Sequence, residues 1–590
     1  MLLDEPAVAE PPALPRTPLR LGLVAAAIGL AAVAVHAVTV LQGYFWQDDF
    51  VIVQRAAAAA PYDPAYLFQD YNGHLAPGMF LLAWLVTAIA PLSHALAAVP
   101  LLVAHAGALL AFWRLLVGCF GARRALLVPF TLFALSPIVL FTTLWWAFAI
   151  QMTPLLLAMA ATLDCHVRYL RTRRLGYAVG AVLWLLLGLA FYEKAILVPA
   201  LLFAVTVLLG SGPVAAFTAH RRLWLAYGLL IVLYAVVYLS ATSSPPAPPQ
   251  TEVPDTAEYV RRALLDTFLP GLFGGPWPAS ATGMTWPEPA MAVRIAVAVA
   301  ALALLVGGIV VSRKRAALAW LALGGYLAVD LTLVALNRLP QFGVLIGNDP
   351  RFLADAVPVA VLMGAFAFLP PAGRPGRVRG DAPVTALTAM VALSAVFSVF
   401  SLAPAVRFEE GRAYVAAVRG ALAADPDLPV YDARVPEHMM VAWGFGQEAL
   451  LSRFTPLLAV GARFDEPAES VYLVDGAGTP KKVEHLRWTV DGEPGPVKDC
   501  GYAVTGEVVG VPLATPVRGK HVLRIGYYTA DAGELAVTAA GVEQLVRVEA
   551  GVHRIDLVVS GSFSRVDLRR TTPGSPVCAV TVQVGQPWVG

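Results

Sequence analysis

Long apolar runs alternate with short polar breaks over the first two thirds of the chain, and the pattern changes near residue 404. The runs cover residues 21–41, 75–92, 95–117, 125–143, 148–167, 176–192, 195–211, 223–241, 290–312, 316–336, 351–371 and 382–403. A helix needs roughly 20 apolar residues to cross a bilayer. The pattern therefore predicts a polytopic α-helical membrane domain over 20–403. Arg16 and Arg20 precede the first run, and Gly43-Tyr44-Phe45-Trp46 closes it with an aromatic interface belt. That run is longer than a signal-peptide core and has no small-residue cleavage site, so it reads as a retained span. Residues 1–19 are Pro-rich and polar and read as a disordered cytoplasmic tail.

Beyond 404 the period shortens. Residues 411–424 read as a short helix, and 404–469 as an α/β connector. Residues 470–590 alternate apolar and polar positions in short stretches, such as His521-Val522-Leu523-Arg524-Ile525 and Cys578-Ala579-Val580-Thr581-Val582. Gly, Pro and Asp separate the stretches, which predicts a β-sandwich or jelly roll.

Composition narrows the class. Hydrophobic residues make up 58% and charged residues 14%, against about 45–50% and 25% in soluble chains. A soluble enzyme, a disordered protein and a coiled coil are excluded. The net charge of +2 removes bulk attraction to nucleic acid.

Basic clusters set the expected orientation. They are Arg168, Arg171, Arg173 and Arg174; Arg221 and Arg222; Arg313-Lys314-Arg315; and Arg374, Arg377 and Arg379. With these inside, the loops 43–74 and 243–289, the segments 143–152, 193–194 and 337–350, and the C-terminal part lie outside. Arg123 and Arg124 then require an odd number of crossings between 75 and 117, where two runs lie. One run is re-entrant or one is missed, and about 11–13 spans are expected.

Candidate chemistry gathers on the outside segments. Gln47-Asp48-Asp49-Phe50 follows the first span directly. Paired carboxylates at a membrane surface are costly unless solvated or used. Either acid is a candidate base, and the other would hold a cation or cap a helix. A divalent metal (Mg, Mn or Ca) is compatible with them, although no full ligand set is visible. His74 reads as a proton relay or a hydrogen-bond donor to a phosphate, or as a helix cap.

Glu193-Lys194 interrupts an apolar stretch. Lys194 would neutralise a phosphate and Glu193 would orient it or a sugar hydroxyl; a plain turn is the bland alternative. Arg351 opens a helix on the outer side, where its planar fork suits a phosphodiester, and Asp349 would hold the fork or meet substrate. Trp145, Trp146 and Gln151 form either an interface belt or a sugar-stacking surface. The loop 243–289, with Trp277 and Trp286, reads as a lid. Cys500 and Cys578 fall in an outside β-domain, where a disulfide is expected.

There is no P-loop, HExxH or GxSxG elbow. An acidic pair after the first span, a long first outer loop, many helices and a C-terminal outer domain resemble the GT-C superfamily of integral-membrane glycosyltransferases. The resemblance covers roughly 20–403. It implies a polyprenyl-phosphate sugar donor, with Asp48 or Asp49 as catalytic base and Lys194, Arg351 and His74 toward the donor phosphate. Residue usage looks like a high-GC actinobacterial protein, which implies decaprenyl-phosphate arabinose or mannose, a cell-envelope glycan acceptor and a plasma-membrane location. The β-domain is similar in pattern to carbohydrate-binding sandwiches attached to some relatives. A lipid-linked sugar flippase or a non-catalytic envelope scaffold are the competing classes; neither accounts as well for the acidic pair beside the first span.

Overall fold

The first apolar run forms a 23-residue helix, Leu19–Leu41, in the computed structural model. At 1.5 Å per residue it is about 34 Å long, enough for a hydrocarbon core of about 30 Å. The structure describes residues 17–210, 212–242, 253–275, 288–373, 381–402 and 407–589. Most of the tail 1–19, the Pro-rich start of the expected lid, Trp277, Trp286, Arg374, Arg377 and Arg379 lie outside the described residues. The chain divides into two units, Met1–Phe408 and Glu409–Gly590.

Among the described residues, eight helices of the first unit are long and apolar enough to cross a membrane. The bent pair Glu193–Leu209 and Pro213–Ala219 makes a ninth candidate, and three shorter apolar helices accompany them: Pro77–Ile89, Leu175–Phe191 and Ala356–Phe368. The expected 11–13 is reached only when the shorter helices count as crossings.

Pro77–Ile89 is the informative one. Thirteen residues rise only about 20 Å, short of a full span. His94–Phe120, with 27 residues, is then the one full-length crossing in this region, which is the odd count that Arg123 and Arg124 required. The short helix presses on the end of Leu175–Phe191. A Cβ on Gly78 would lie 2.8 Å from the Phe191 ring. Only glycine allows this approach, and it brings the chain before residue 77 up to Tyr192 and Glu193.

Apolar side chains have two destinations. Phe112, Leu115, Phe133, Ile138, Met159 and Phe366 fill a core between helices. On Met291–Ser312, Ile295, Val299, Leu302, Val306 and Val310 are exposed. A soluble monomer rarely exposes so continuous an apolar stripe, and these residues face hydrocarbon.

The helix ends sort into two groups. At one end the Ala372 N–H donates to Cys119 at 2.9 Å, Arg173 contacts His220 at 2.9 Å, and Arg315 donates to the Phe366 carbonyl at 2.8 Å. At the other, contacts tie together residues 46–49, 71–74, 145–148, 192–194 and 338–352.

The second unit holds two sheets. In the smaller, Arg463–Phe464, Pro429–Val430, Tyr472–Val474 and Pro480–Lys482 lie in that order, and the last pair is antiparallel. Tyr472–Val474 and Pro480–Lys482 thus leave the expected 470–590 sandwich for this sheet. Three-residue strands are too short for their alternation to reveal which sheet they join.

The larger sheet is seven-stranded and antiparallel, built on Val509–Thr529 and Gly551–Arg570. Gly519 pairs with Gly561 across these strands, and both have positive φ (102° and 132°). The two strands bend there. Val511, Leu513 and Val517 before the bend share one core with Leu523, Ile525 and Tyr527 after it. One sheet therefore folds over itself into the two layers expected of a sandwich. Cys500 and Cys578 are joined by a disulfide within this unit.

Candidate active site

The acidic pair opens a short helix, Asp48–Ala58, and its two members face different partners. Asp49 is fully buried. Its Oδ2 accepts from the Trp46 N–H at 2.8 Å and its Oδ1 from the Ala147 N–H at 2.6 Å. Ala147 lies in the first turn of the 27-residue helix Trp146–Thr172, so this carboxylate caps that helix at its positive end. Burial pushes the Asp49 pKa well above the ordinary carboxylate value, against the pull of the two N–H donors. Each oxygen already accepts a backbone N–H and the side chain is fully buried, so Asp48 is the more accessible acid of the pair.

Asp48 is half-buried. Its Oδ1 accepts from the Tyr71 hydroxyl at 2.7 Å and from the Asn72 carboxamide at 3.4 Å. Its Oδ2 makes no hydrogen bond among the described residues and remains available.

Tyr71 and Asn72 belong to a tight turn. Tyr71 and His74 exchange both backbone hydrogen bonds, at 3.2 and 3.0 Å. Asn72 and Gly73 both have positive φ, 54° and 80°, the geometry that Asn-Gly favours in two-residue turns. The turn places Tyr71 on Asp48 at one corner and His74 on Glu193 at the other. The His74 Nδ1 lies 2.7 Å from Glu193 Oε1, and its Nε2 lies 2.9 Å from Arg338 Nη2. An arginine only donates, so Nε2 accepts and the Nδ1–H donates to Glu193. Arg338 also donates to the Asn72 carbonyl at 3.0 Å. His74 is thus a link between Glu193 and Arg338.

Arg351 lies over the Trp145 ring at 4.1 Å, with Phe148 and Phe352 each 5.6 Å away. Its Nε and Nη2 fork onto Asp349, with Nε 2.8 Å from Oδ1. Asp349 also caps the Arg351 N–H at 3.1 Å. Asp349 therefore holds the arginine. Arg351 Nη1 makes no hydrogen bond among the described residues. Trp145 donates to the Trp46 carbonyl at 3.2 Å. Trp146 is buried and donates to the Ala97 carbonyl, and Gln151 is buried one turn further into the bundle. Neither lies on an open surface where a sugar ring would stack.

Lys194, expected to meet a phosphate, is buried and fully engaged. Its ammonium contacts Asp330 Oδ1 at 2.6 Å, Asp355 Oδ1 at 2.9 Å and the Phe352 carbonyl at 2.6 Å. The Tyr326 hydroxyl donates to Asp355 Oδ2 at 2.7 Å. Sequence reading missed this because both acids lie inside apolar runs, in which no single-residue signal pairs them with residue 194.

Ring contacts through the buried Tyr192 bring the parts together. His74 lies 5.6 Å from Tyr192, Tyr192 5.9 Å from Phe148, and Phe148 5.6 Å from Arg351. Arg338 and Tyr71 are the participants that sequence reasoning left out; the Asn72-Gly73 pair is the signal that would have found Tyr71. The described part of the expected lid, around Val253–Leu272, packs on 344–348 through Arg262 to Asn348 and Thr267 to Gly347. No group of three His, Cys, Asp or Glu side chains suited to a metal occurs among the described residues.

No family model and no curated protein matches the chain. Among solved structures it is similar to the arabinosyltransferase EmbB from Mycobacterium smegmatis, at 14% identity and TM-score 0.39, covering 99% of this chain and 66% of that one. It is similar to the arabinofuranosyltransferase AftD from mycobacteria, at 12% identity and TM-score 0.40, covering 97% of this chain and 59% of that one. It is also similar to ArnT from Cupriavidus metallidurans bound to undecaprenyl phosphate, at 14% identity and TM-score 0.34, covering 77% of this chain and 93% of that one. The chain therefore spans less than two thirds of the two mycobacterial proteins.

Proposed function

We propose that this chain is a multi-pass membrane glycosyltransferase that moves a sugar from a polyprenyl phosphate to an envelope glycan on the outer face of the membrane. The observation that carries the reading is one surface holding the open carboxylate Asp48 and the arginines Arg338 and Arg351, at the end of the bundle opposite the contacts of Arg173 and Arg315. Basic residues favour the cytoplasmic side, which supports an outward-facing Asp48. A donor there has to arrive through the bilayer, as a lipid phosphate does.

In the proposed reaction, Asp48 Oδ2 takes the proton of an acceptor hydroxyl. The hydroxyl oxygen attacks the anomeric carbon, the bond from that carbon to the phosphate oxygen breaks, and polyprenyl phosphate leaves with the electron pair. The product has inverted configuration. Arg351 and Arg338 meet the phosphate, where charge-assisted hydrogen bonds stabilise the leaving group. Tyr71 orients the base. The sugar proposed is arabinose or mannose. In the second unit, Trp488 is 81% exposed on its strand and is the proposed stacking surface for a glycan.

The test is turnover in nanodiscs with radiolabelled polyprenyl-phosphate sugars and envelope glycans. Transfer of label to the glycan is expected. Movement of the donor across proteoliposome membranes without transfer would replace the reading with a flippase.

A further inference from the structure

The Lys194 cluster has a geometry beyond what holding the bundle together requires. Lys194 sits in the Glu193–Leu197 turn, directly after the residue that binds His74. Its ammonium reaches the Phe352 carbonyl, one residue beyond Arg351. Asp330 lies on the helix Lys314–Phe342, two turns before Arg338 on the same helix. Asp355 follows the Pro350–Leu353 turn that carries Arg351. One buried cation therefore ties three segments, and each carries a member of the candidate surface: Glu193 with His74, Arg338, and Arg351.

We propose that the Asp330–Lys194–Asp355 cluster is a positioning device that sets the spacing between the Arg338–His74 half and the Arg351 half of a lipid-phosphate site. The inference rests on the functional reading given above. Lys194 touches neither substrate nor phosphate; it acts through the backbone of the Arg351 turn. A buried charge cluster often adds no net stability over apolar residues of like size, whereas deleting one member leaves a charge uncompensated. Fold maintenance alone therefore does not require these three residues. A displacement of about 1 Å at a reacting site costs on the order of 100-fold in rate, so a device that fixes two cations on separate segments has a clear use.

The test separates positioning from folding. In Lys194→Met/Asp330→Leu/Asp355→Asn the charges are removed together, and the asparagine still accepts from Tyr326. Undecaprenyl phosphate binding to the purified full chain is measured with thermal unfolding. The expected result is an unfolding midpoint close to wild type and affinity at least about tenfold weaker, with kcat falling further than KM rises. The second variant, Asp355→Asn, is isosteric and leaves one cation against one carboxylate, and it is expected to weaken binding in the same direction. Wild-type affinity in either folded variant would overturn the inference alone. Absence of binding by the wild-type chain would overturn the functional reading and the inference with it.

Discussion

The two acids after the first span are neighbours in sequence and opposites in role. Asp49 is held between two backbone N–H groups, and Asp48 keeps an oxygen open. Replacing Asp49 with Ala removes a helix cap, worth about 1 kcal/mol, and orphans buried donors at about 1–3 kcal/mol. Asp49→Ala is therefore expected to lower the thermal unfolding midpoint, with transfer falling in step with the folded fraction. The sequence showed the pair and its closeness to the membrane. It did not show the division of labour, because the second partner of Asp49 is Ala147, an unremarkable residue 98 positions away. The same holds for Lys194, whose partners Asp330 and Asp355 are distant acids inside apolar runs of the sequence.

At the scale of elements, the Asn72-Gly73 turn and the short helix after it deliver Tyr71 and His74 to the surface. Gly73 has φ of 80° with open space where a Cβ would point, so the cost of a side chain is backbone strain of about 1–2 kcal/mol. Gly73→Val is expected to lower transfer while leaving the second unit unchanged, which turnover and exchange protection of the β-sheet check together. Helix runs were legible from hydropathy, and the basic clusters pointed to a re-entrant or missed run in this region, but nothing singled out Pro77–Ile89, because its run is as apolar as its neighbour. Its length is set by a turn at 90–93 and by the close approach at Gly78. In the second unit, alternation revealed strands and the disulfide was expected from compartment. Which sheet each short strand joins depends on long-range pairing. Cys500→Ser/Cys578→Ser is expected to destabilise that unit by about 2–4 kcal/mol, read as a lower denaturant midpoint in its melting.

For the whole molecule, a lipid-phosphate donor reaching Asp48 from the outer leaflet requires that end of the bundle to face outside. Tyr62, 82% exposed, lies at that end, and Thr172 lies at the end of Arg173. In intact cells a membrane-impermeant maleimide is expected to label Tyr62→Cys and to spare Thr172→Cys until the membrane is opened; the reverse pattern would invert the orientation. The proposed sugar transfer depends on Asp48 as its base. Its most direct test compares kcat for Asp48→Asn with wild type in nanodiscs at matched thermal midpoints. A loss of about 10²–10⁴-fold with unfolding unchanged is expected, and full activity in Asp48→Asn would show that another group takes the proton.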